Sequence, residues 1–492
     1  MLKFAAIATV LGFTFVASGS WAASIFDPIK VDSLTSPAPS QPWVPDTRLP
    51  SVPAVAGAQP APGELGQPLS LAQLTDLALR LNPRTRQAWL SARAEAANIG
   101  IEHADDWPLI TGAYSNTIGR RVSATSGAPS PVQTSYGPSI SLNYVLYDFG
   151  QGDASLDAAN YRLLAANLAQ NRVLQEVVTQ VEQAYYRVLA FEHLVRAARE
   201  SLKNFETALD AALRRRASGL ATAGDEYRAQ TQVGQARLAL TRNEGELAKS
   251  RGLLANAVGL PVNTALQLQP VLEAPPISEI NQSMDALIEK AKANRPDLVA
   301  SQARALAARA NVLSVSRTGL PSLEFSANYG RLMFTNGTAV ATDPLRNVQR
   351  AEQDTYAFGF SLKIPIFSGF KDTYSTRRAE EQAKQAESAR DQLVNQTELE
   401  VWQSYFDFQT SVSSIASTAN LVKSAGESAA SAAARYKAGV GTLLDFITAQ
   451  LDDTNAKVQQ IQSYLDWYSA LARLNFALGA GDSVVPKGTK AP

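Results

Sequence analysis

The sequence predicts a mostly α protein with a membrane β-barrel portion, built by tandem duplication of a strand pair plus long helical hairpins. Three observations predict it. Tyr356, Phe358, Phe360, Leu362, Ile364 and Ile366 alternate with Ala357, Gly359, Ser361, Lys363 and Pro365. That period of two marks a strand with one broad apolar face and one small or polar face. The strand leads past Gly369 into a helical pattern of about 65 residues. The same succession occurs 220 residues earlier, where Ser139 to Tyr147 leads through Asp148, Phe149 and Gly150 into a helical run of similar length.

Composition sets the bounds. The 492-residue chain holds 45 basic and 45 acidic residues and no formal net charge, so nothing invites a nucleic-acid partner. It has no cysteine, which excludes disulfides, cysteine metal sites, a thiol nucleophile and a lipid-modified N-terminal cysteine. His103 and His193 each stand alone on helical stretches and read as solvated or packed side chains, so neither a metal site nor a cofactor is expected. Met1 to Lys3 is a short positive start, Phe4 to Val16 an apolar run, and Ser18 to Ala23 a small-residue exit. Residues 1–23 therefore read as a secretory signal. No later stretch approaches the ~18 consecutive apolar residues of a spanning helix, so a membrane would be crossed by strands.

Taken in order, residues 24–68 contain ten of the 25 prolines and read as an extended linker. Ser70 is placed to cap a short helix that stops before Asn82 and Pro83. A second helix runs from about Arg84 to Ala104 and breaks at Trp107 and Pro108. Strands are expected at 109–119 and 137–147, joined through a turn-rich stretch around 123–131. In the long helix after Gly150, Val173, Val177, Val181, Ala184 and Val188 form a stripe that Leu174, Val178, Tyr185 and Leu189 widen. It ends near Ser218 and Gly219, and Thr222 to Asp225 opens a second arm lasting to about Gly259. After Pro270, Pro275 and Pro276 the pattern restarts. It predicts a helix over 284–293, a break at Arg295 and Pro296, a helix to Leu320, strands at 322–333 and 355–367, and a second long hairpin.

The register between the halves holds at 220. Ser141 and Leu142 map to Ser361 and Leu362, Tyr185 to Tyr405, Gly219 to Gly439, Thr222 to Thr442, Asp225 to Asp445 and Gly259 to Gly479. The chain is thus two repeats, 69–270 and 271–479, with a tail at 480–492. The one length difference falls between the paired strands: Pro108 to Ser141 is 33 residues, Pro321 to Ser361 is 40. Added length is expected in the exposed connection there, which would set that end of each hairpin outward.

Helices of about 65 residues reach about 100 Å, too far for one compact core. The strands pose the sharper problem, because four of them leave two open edges. Unpaired edges in hydrocarbon cost several kcal/mol per group, so the sheet must close with strands from other chains. A bacterial outer-membrane barrel has at least about eight strands, hence at least two chains. The alternative is a soluble or surface scaffold of long coiled helices, which would need no lipid and would fractionate without detergent.

On these residues the chain resembles the TolC family of outer-membrane efflux and type I secretion channels. The likeness rests on the duplication, on the junctions Leu146 to Gly150 and Pro365 to Gly369, and on the tips Ala217 to Asp225 and Tyr436 to Asp445. It implies a homotrimer with a 12-stranded barrel in the outer membrane, continuing into a helical tunnel in the periplasm. The implied partners are outer-membrane lipid, a periplasmic adaptor (membrane-fusion) protein and an inner-membrane RND or ABC transporter. Small-molecule efflux and protein secretion are both open, because the cargo is chosen upstream.

A duct needs a constriction and a docking surface, and no catalytic set stands out. Both hairpin tips pair a helix-ending glycine with Thr-x-x-Asp, a capping arrangement. Asp445, with Asp452 seven residues on along the same face, and Asp225 are candidates for carboxylate rings at a narrow mouth. The resemblance favours Asp445, while its second acidic position falls on Thr448. Gly219, Thr222, Gly439 and Thr442 are the candidate adaptor-docking tips. Arg214, Arg215 and Arg216 read first as partners of the helix dipole, with adaptor contact as the alternative. Tyr144, Tyr147, Tyr356 and Phe367, with Phe149 and Phe370, are candidates for an aromatic belt.

Overall fold

The computed structural model describes residues 65–119, 133–269, 275, 282–336 and 350–479, all within one unit, Gly57–Pro492. The expected signal at 1–23, the linker up to residue 64 and the tail at 480–492 lie outside the described residues.

Each half opens with two short helices joined by a tight break. The Ser70 hydroxyl accepts from the Gln73 amide while the Gln73 side chain accepts the Ser70 N–H, a reciprocal cap that starts α1 (Leu71–Leu81). Asn82 ends α1 and caps α2 (Pro83–Glu102), accepting from the Arg84 amide and donating to the Ala257 carbonyl. A 3-10 turn, His103–Asp106, follows. There His103 lies 2.7 Å from Asp106 and is not the solitary side chain the sequence suggests. The first repeat continues with β1 (Leu109–Gly119), β2 (Gln133–Tyr147), α3 (Gln151–Ala217) and α4 (Ala223–Val258). The second comprises α5 (Met284–Asn294), α6 (Pro296–Arg317), β3 (Ser322–Asn336), β4 (Arg350–Lys363), α7 (Lys371–Lys437) and α8 (Leu443–Ala477). α3 and α7 are 67 residues each.

Strand boundaries depart from expectation. β2 begins at Gln133, β3 runs on to Asn336, and β4 covers Arg350–Lys363. The apolar alternation continues through Ile364 and Ile366, but Pro365 has no N–H for a ladder, and the backbone leaves the sheet. The connection in which the extra length of the second hairpin is expected lies outside the described residues. Among the described residues β3 has 15 residues and β1 has 11.

The four strands form one antiparallel sheet in the order β1-β2-β3-β4. The two repeats meet at β2 and β3, leaving β1 and β4 as edges. Both exits from the sheet use two left-handed residues in succession: Phe149 (φ 56°) and Gly150 (φ 81°), then Gly369 (φ 66°) and Phe370 (φ 63°). Glycine and phenylalanine exchange places between the copies, and each phenylalanine costs about 1–2 kcal/mol in that conformation. Ring contacts offset part of this, with Phe149 4.8 Å from Tyr147 and Phe370 5.3 Å from Phe367.

The long helices pack as two hairpins, α3 with α4 and α7 with α8, joined where α3 meets α8 and where α6 lies between α3 and α7. The stripe read on α3 is its core face: Val177, Val181, Tyr185, Val188 and Leu189 are buried with Leu74, Leu77, Leu254 and Val258. The second repeat builds the equivalent cluster from Leu287, Val401, Phe408, Trp467 and Leu474.

One junction differs between the copies. Where Asn82 reaches the Ala257 carbonyl, its counterpart Arg295 reaches that of Ala477 and extends further. Arg295, 1% exposed, makes a two-pronged bond to Asp297 and a 2.6 Å bond to Glu400. Arg172 of the first repeat lies 3.4 Å from Asp297, bonds the Phe476 carbonyl and stacks over the Phe476 ring. Burial, with the Arg295 charge beside it, pulls the Arg172 guanidinium down to about 10. Burial would push the Asp297 carboxyl up, but the bonds from Arg295 and the charges of Arg172 and Arg295 together hold it below its usual value.

Candidate functional site

The register sorts the sheet into two chemically distinct faces. One row across it is Ile110, Leu142, Ala327 and Phe358; the row beside it on the opposite face is Thr111, Ser141, Asn328 and Ala357. The apolar face also carries Tyr144, Phe325 and Phe360, with Phe325 and Phe360 5.2 Å apart. Phe358 is 76% exposed and Phe360 71%, so none of the described residues covers this face. Such alternation, apolar outward and polar inward, is the pattern of a strand wall between lipid and water. Among the described residues no helix is long and apolar enough to cross a membrane.

The candidate aromatic residues do not share one level. A bulge between Val145 and Tyr147 brings Tyr147 opposite Leu323, on the face of Tyr144. Strict alternation would have put Tyr147 on the other face, and the sequence carries no signal for the bulge. Tyr147, Phe149, Phe367 and Phe370 stand where the strands turn into helices and are exposed. Tyr356 pairs with Tyr329 well within the sheet, so it is part of the apolar face and not of that rim.

The hairpin tips meet each other. Phe205, Ala212, Ala229 and Val233 of the first pack with Tyr436, Leu443 and Ile447 of the second. Both tips close alike: the amides of Gly219 and Leu220 bond back to Arg216 and Arg215, and those of Gly439 and Val440 to Tyr436 and Arg435. This double bond-back with a left-handed glycine ends the helix. The three arginines are each held inside the chain. Arg214 pairs with Asp210, Arg216 with Glu226, and Arg215 donates to the Tyr436 carbonyl with its charge 4.2 Å over that ring. Arg215 is thus the bolt between the tips, a role the dipole reading missed.

The two Thr-x-x-Asp turns are not equivalent. Thr222 accepts from the Asp225 amide, and the Asp225 carboxylate takes both the Thr222 N–H and hydroxyl. Those bonds hold the Asp225 carboxyl below its usual value. Thr442 accepts from the Asp445 amide, but among the described residues the Asp445 carboxylate meets no partner. Asp445, Thr448 and Asp452 are exposed along one face of α8, while Ile447 and Ala449 are buried. The neighbouring Asp453 is buried and pairs with Lys457 at 3.0 Å. Gly219, Thr222, Gly439 and Thr442 are exposed. Beside them Leu220 and Val440 are 78% and 79% exposed, an apolar pair at the repeat offset that the reading of the sequence passed over.

The family model for outer membrane efflux proteins matches residues 74–260 and 287–480. The chain is 28% identical over 411 residues to protein CyaE of Bordetella pertussis, covering 84% of each. It is 26% identical over 415 residues to outer membrane protein OprJ of Pseudomonas aeruginosa, again covering 84% of each. Its fold matches the solved outer-membrane channel OprN with a TM-score of 0.73 at 19% identity, over 89% of this chain and 98% of that one.

Proposed function

The chain belongs to the outer membrane efflux protein family, and from that premise we propose that it is the outer-membrane exit duct of a tripartite efflux pump or type I secretion system. The protein resides in the outer membrane, and its long helices extend from there into the periplasm. The observation that carries the reading is a sheet with one bare apolar face and two free edges, feeding helices of 67 residues. A periplasmic adaptor and an inner-membrane transporter complete the path, and the exposed tips with Leu220 and Val440 are the surface offered to the adaptor. A ring of identical chains, three by the family resemblance, closes the four-stranded walls. The duct turns over no substrate; cargo passes through by connection alone.

Purified protein in a planar bilayer should conduct, and a deletion strain should show drug sensitivity, loss of secreted protein, or both, which assigns the cargo. Absence of conductance, with the protein in the soluble fraction without detergent, would return the chain to the scaffold class. The unpartnered Asp445 carboxylate, repeated in each copy, forms the charged ring of the mouth, with Asp452 about 10 Å along the helix. Asp445→Ala is expected to raise conductance severalfold and weaken block by multivalent cations. Asp225→Ala should do less, because that carboxylate is occupied by its own cap. Equal block of Asp445→Ala and the unaltered channel would remove Asp445 from the mouth.

A further inference from the structure

α2 and α6 each pack against α3 and leave between them a cleft of about 520 Å³. Ala165, Ala166 and Ala169 of α3 form its floor, and the shortness of their side chains is what opens the space. The amides of Gln87 and Gln170 border it, and so do three guanidiniums, those of Arg84, Arg162 and Arg304. Nothing in the exit-duct reading uses this group of residues.

The three arginines are not alike. Arg84 closes one end, donating to Glu176 at 2.6 Å and to Gln180 at 3.1 Å. Arg162 and Arg304 are exposed, and among the described residues neither guanidinium has a partner. Ser314 bonds Ser155 and Asp297 meets Arg172, an antiparallel register that sets Arg304 level with Ala165, within one helical turn of Arg162. Two uncompensated positive charges at one level of a wall repel, and an anion seated between them turns that repulsion into attraction. Glu95, the carboxylate among the lining residues, accepts from Asn98 at 3.0 Å. Its charge disfavours a second anionic group on whatever binds, and its other oxygen can accept from a hydroxyl.

Duplication does not account for this chemistry. The counterparts of Arg162 and Ala165 in α7 are Gln382 and Gln385, and with Pro83 matching Pro296, Arg84 answers to Asp297. The equivalent stretches of the second copy thus lack both the basic side chains and the small floor. We infer that the cleft is a binding site for a small soluble phosphate monoester whose body carries hydroxyl groups. Arg162 and Arg304 grip the phosphate, since a guanidinium can present two parallel N–H donors to its oxygens. The body lies over the alanines, with Gln87, Gln170 and Glu95 bonding its hydroxyls. A phosphate monoester carries about −1.5 to −2 charges at neutral pH, which the two unpaired guanidiniums match. A phospholipid headgroup offers the same chemistry, but Glu95 lies about 10 Å inside the end of α2 at Glu102, beyond a headgroup whose chains stay in the membrane. The cleft lies within one chain, so its occupancy does not depend on the duct reading.

Glucose 6-phosphate, inorganic phosphate and glucose serve as probes in calorimetric titration of the detergent-extracted protein at low salt. Glucose 6-phosphate should bind once per chain, inorganic phosphate more weakly and glucose not at all, and the affinity should fall as salt is raised. Arg162→Gln and Arg304→Gln each remove a charged bond and should weaken glucose 6-phosphate about tenfold. Both side chains are exposed, so folding is spared. Ala169→Leu fills the floor and should abolish binding of glucose 6-phosphate while inorganic phosphate still binds. Unchanged affinity in both arginine variants would overturn the site, as would the absence of heat with every probe. Equal binding of phosphate and its ester would overturn the role of the floor, and displacement of glucose 6-phosphate by phosphatidylglycerol bicelles would give the arginines to lipid instead.

Discussion

Arg295→Met is expected to destabilise the protein by about 3 kcal/mol at neutral pH, the lower end of what removing one partner from a buried ion pair costs. The low end applies because Arg172 stays near Asp297 and Gln396 still donates to Glu400. Methionine keeps the buried stem and deletes the charge. The double variant Arg295→Met with Glu400→Gln should recover a good part of the loss. The pH dependence has a definite sign. In the native protein the lowered Asp297 carboxyl contributes stability above its unfolded value of about 4 and loses it as pH falls through the folded value below that. Without Arg295, burial prevails and the carboxyl binds its proton more readily, so the deficit should shrink from pH 7 toward pH 4. Melting in detergent at fixed protein concentration measures both effects. An unchanged melting point, or a deficit that grows on acidification, would show that the cluster does not hold the junction.

Gly259→Ala should cost a similar amount by a different route. Gly259 ends α4 in the left-handed region (φ 90°), and an added Cβ would stand 2.8 Å from both the Asn82 Cα and the Leu81 carbonyl oxygen. The left-handed penalty of about 1–2 kcal/mol adds to an overpacking cost of about 1–3 kcal/mol, because backbone cannot swing aside. Gly219→Ala isolates the first contribution: its φ is 72° but the space around it is open, so about 1 kcal/mol is expected. At Gly479, the counterpart of Gly259, an added Cβ would stand 2.9 Å from the Asn294 carbonyl, so Gly479→Ala should behave as Gly259→Ala does. Equal melting points for Gly219→Ala and Gly259→Ala would refute the close approach.

Much of this architecture is written locally and is therefore readable. Ser70, Thr222 and Thr442 announce helix starts because the cap lies within three residues of the group it satisfies. The constant offset between Gly219 and Gly439 exposes the duplication. What escaped the reading depends on distant partners. Nothing near Arg295 names Arg172 or Glu400, over a hundred residues away in either direction, and nothing in the alternation of β2 reveals the bulge at Val145. The tips show the same limit: Asp225 and Asp445 look alike in sequence, yet only the first carboxylate is tied to its threonine.

The equal length of α3 and α7 has a further consequence. One residue inserted into either helix would advance its far end by about 1.5 Å and turn it by about 100°, parting Arg215 from Tyr436. The two copies can therefore lengthen or shorten only in step and by whole turns. The stem acts as a gauge rod: the depth at which it presents its mouth is held constant for whatever must reach it.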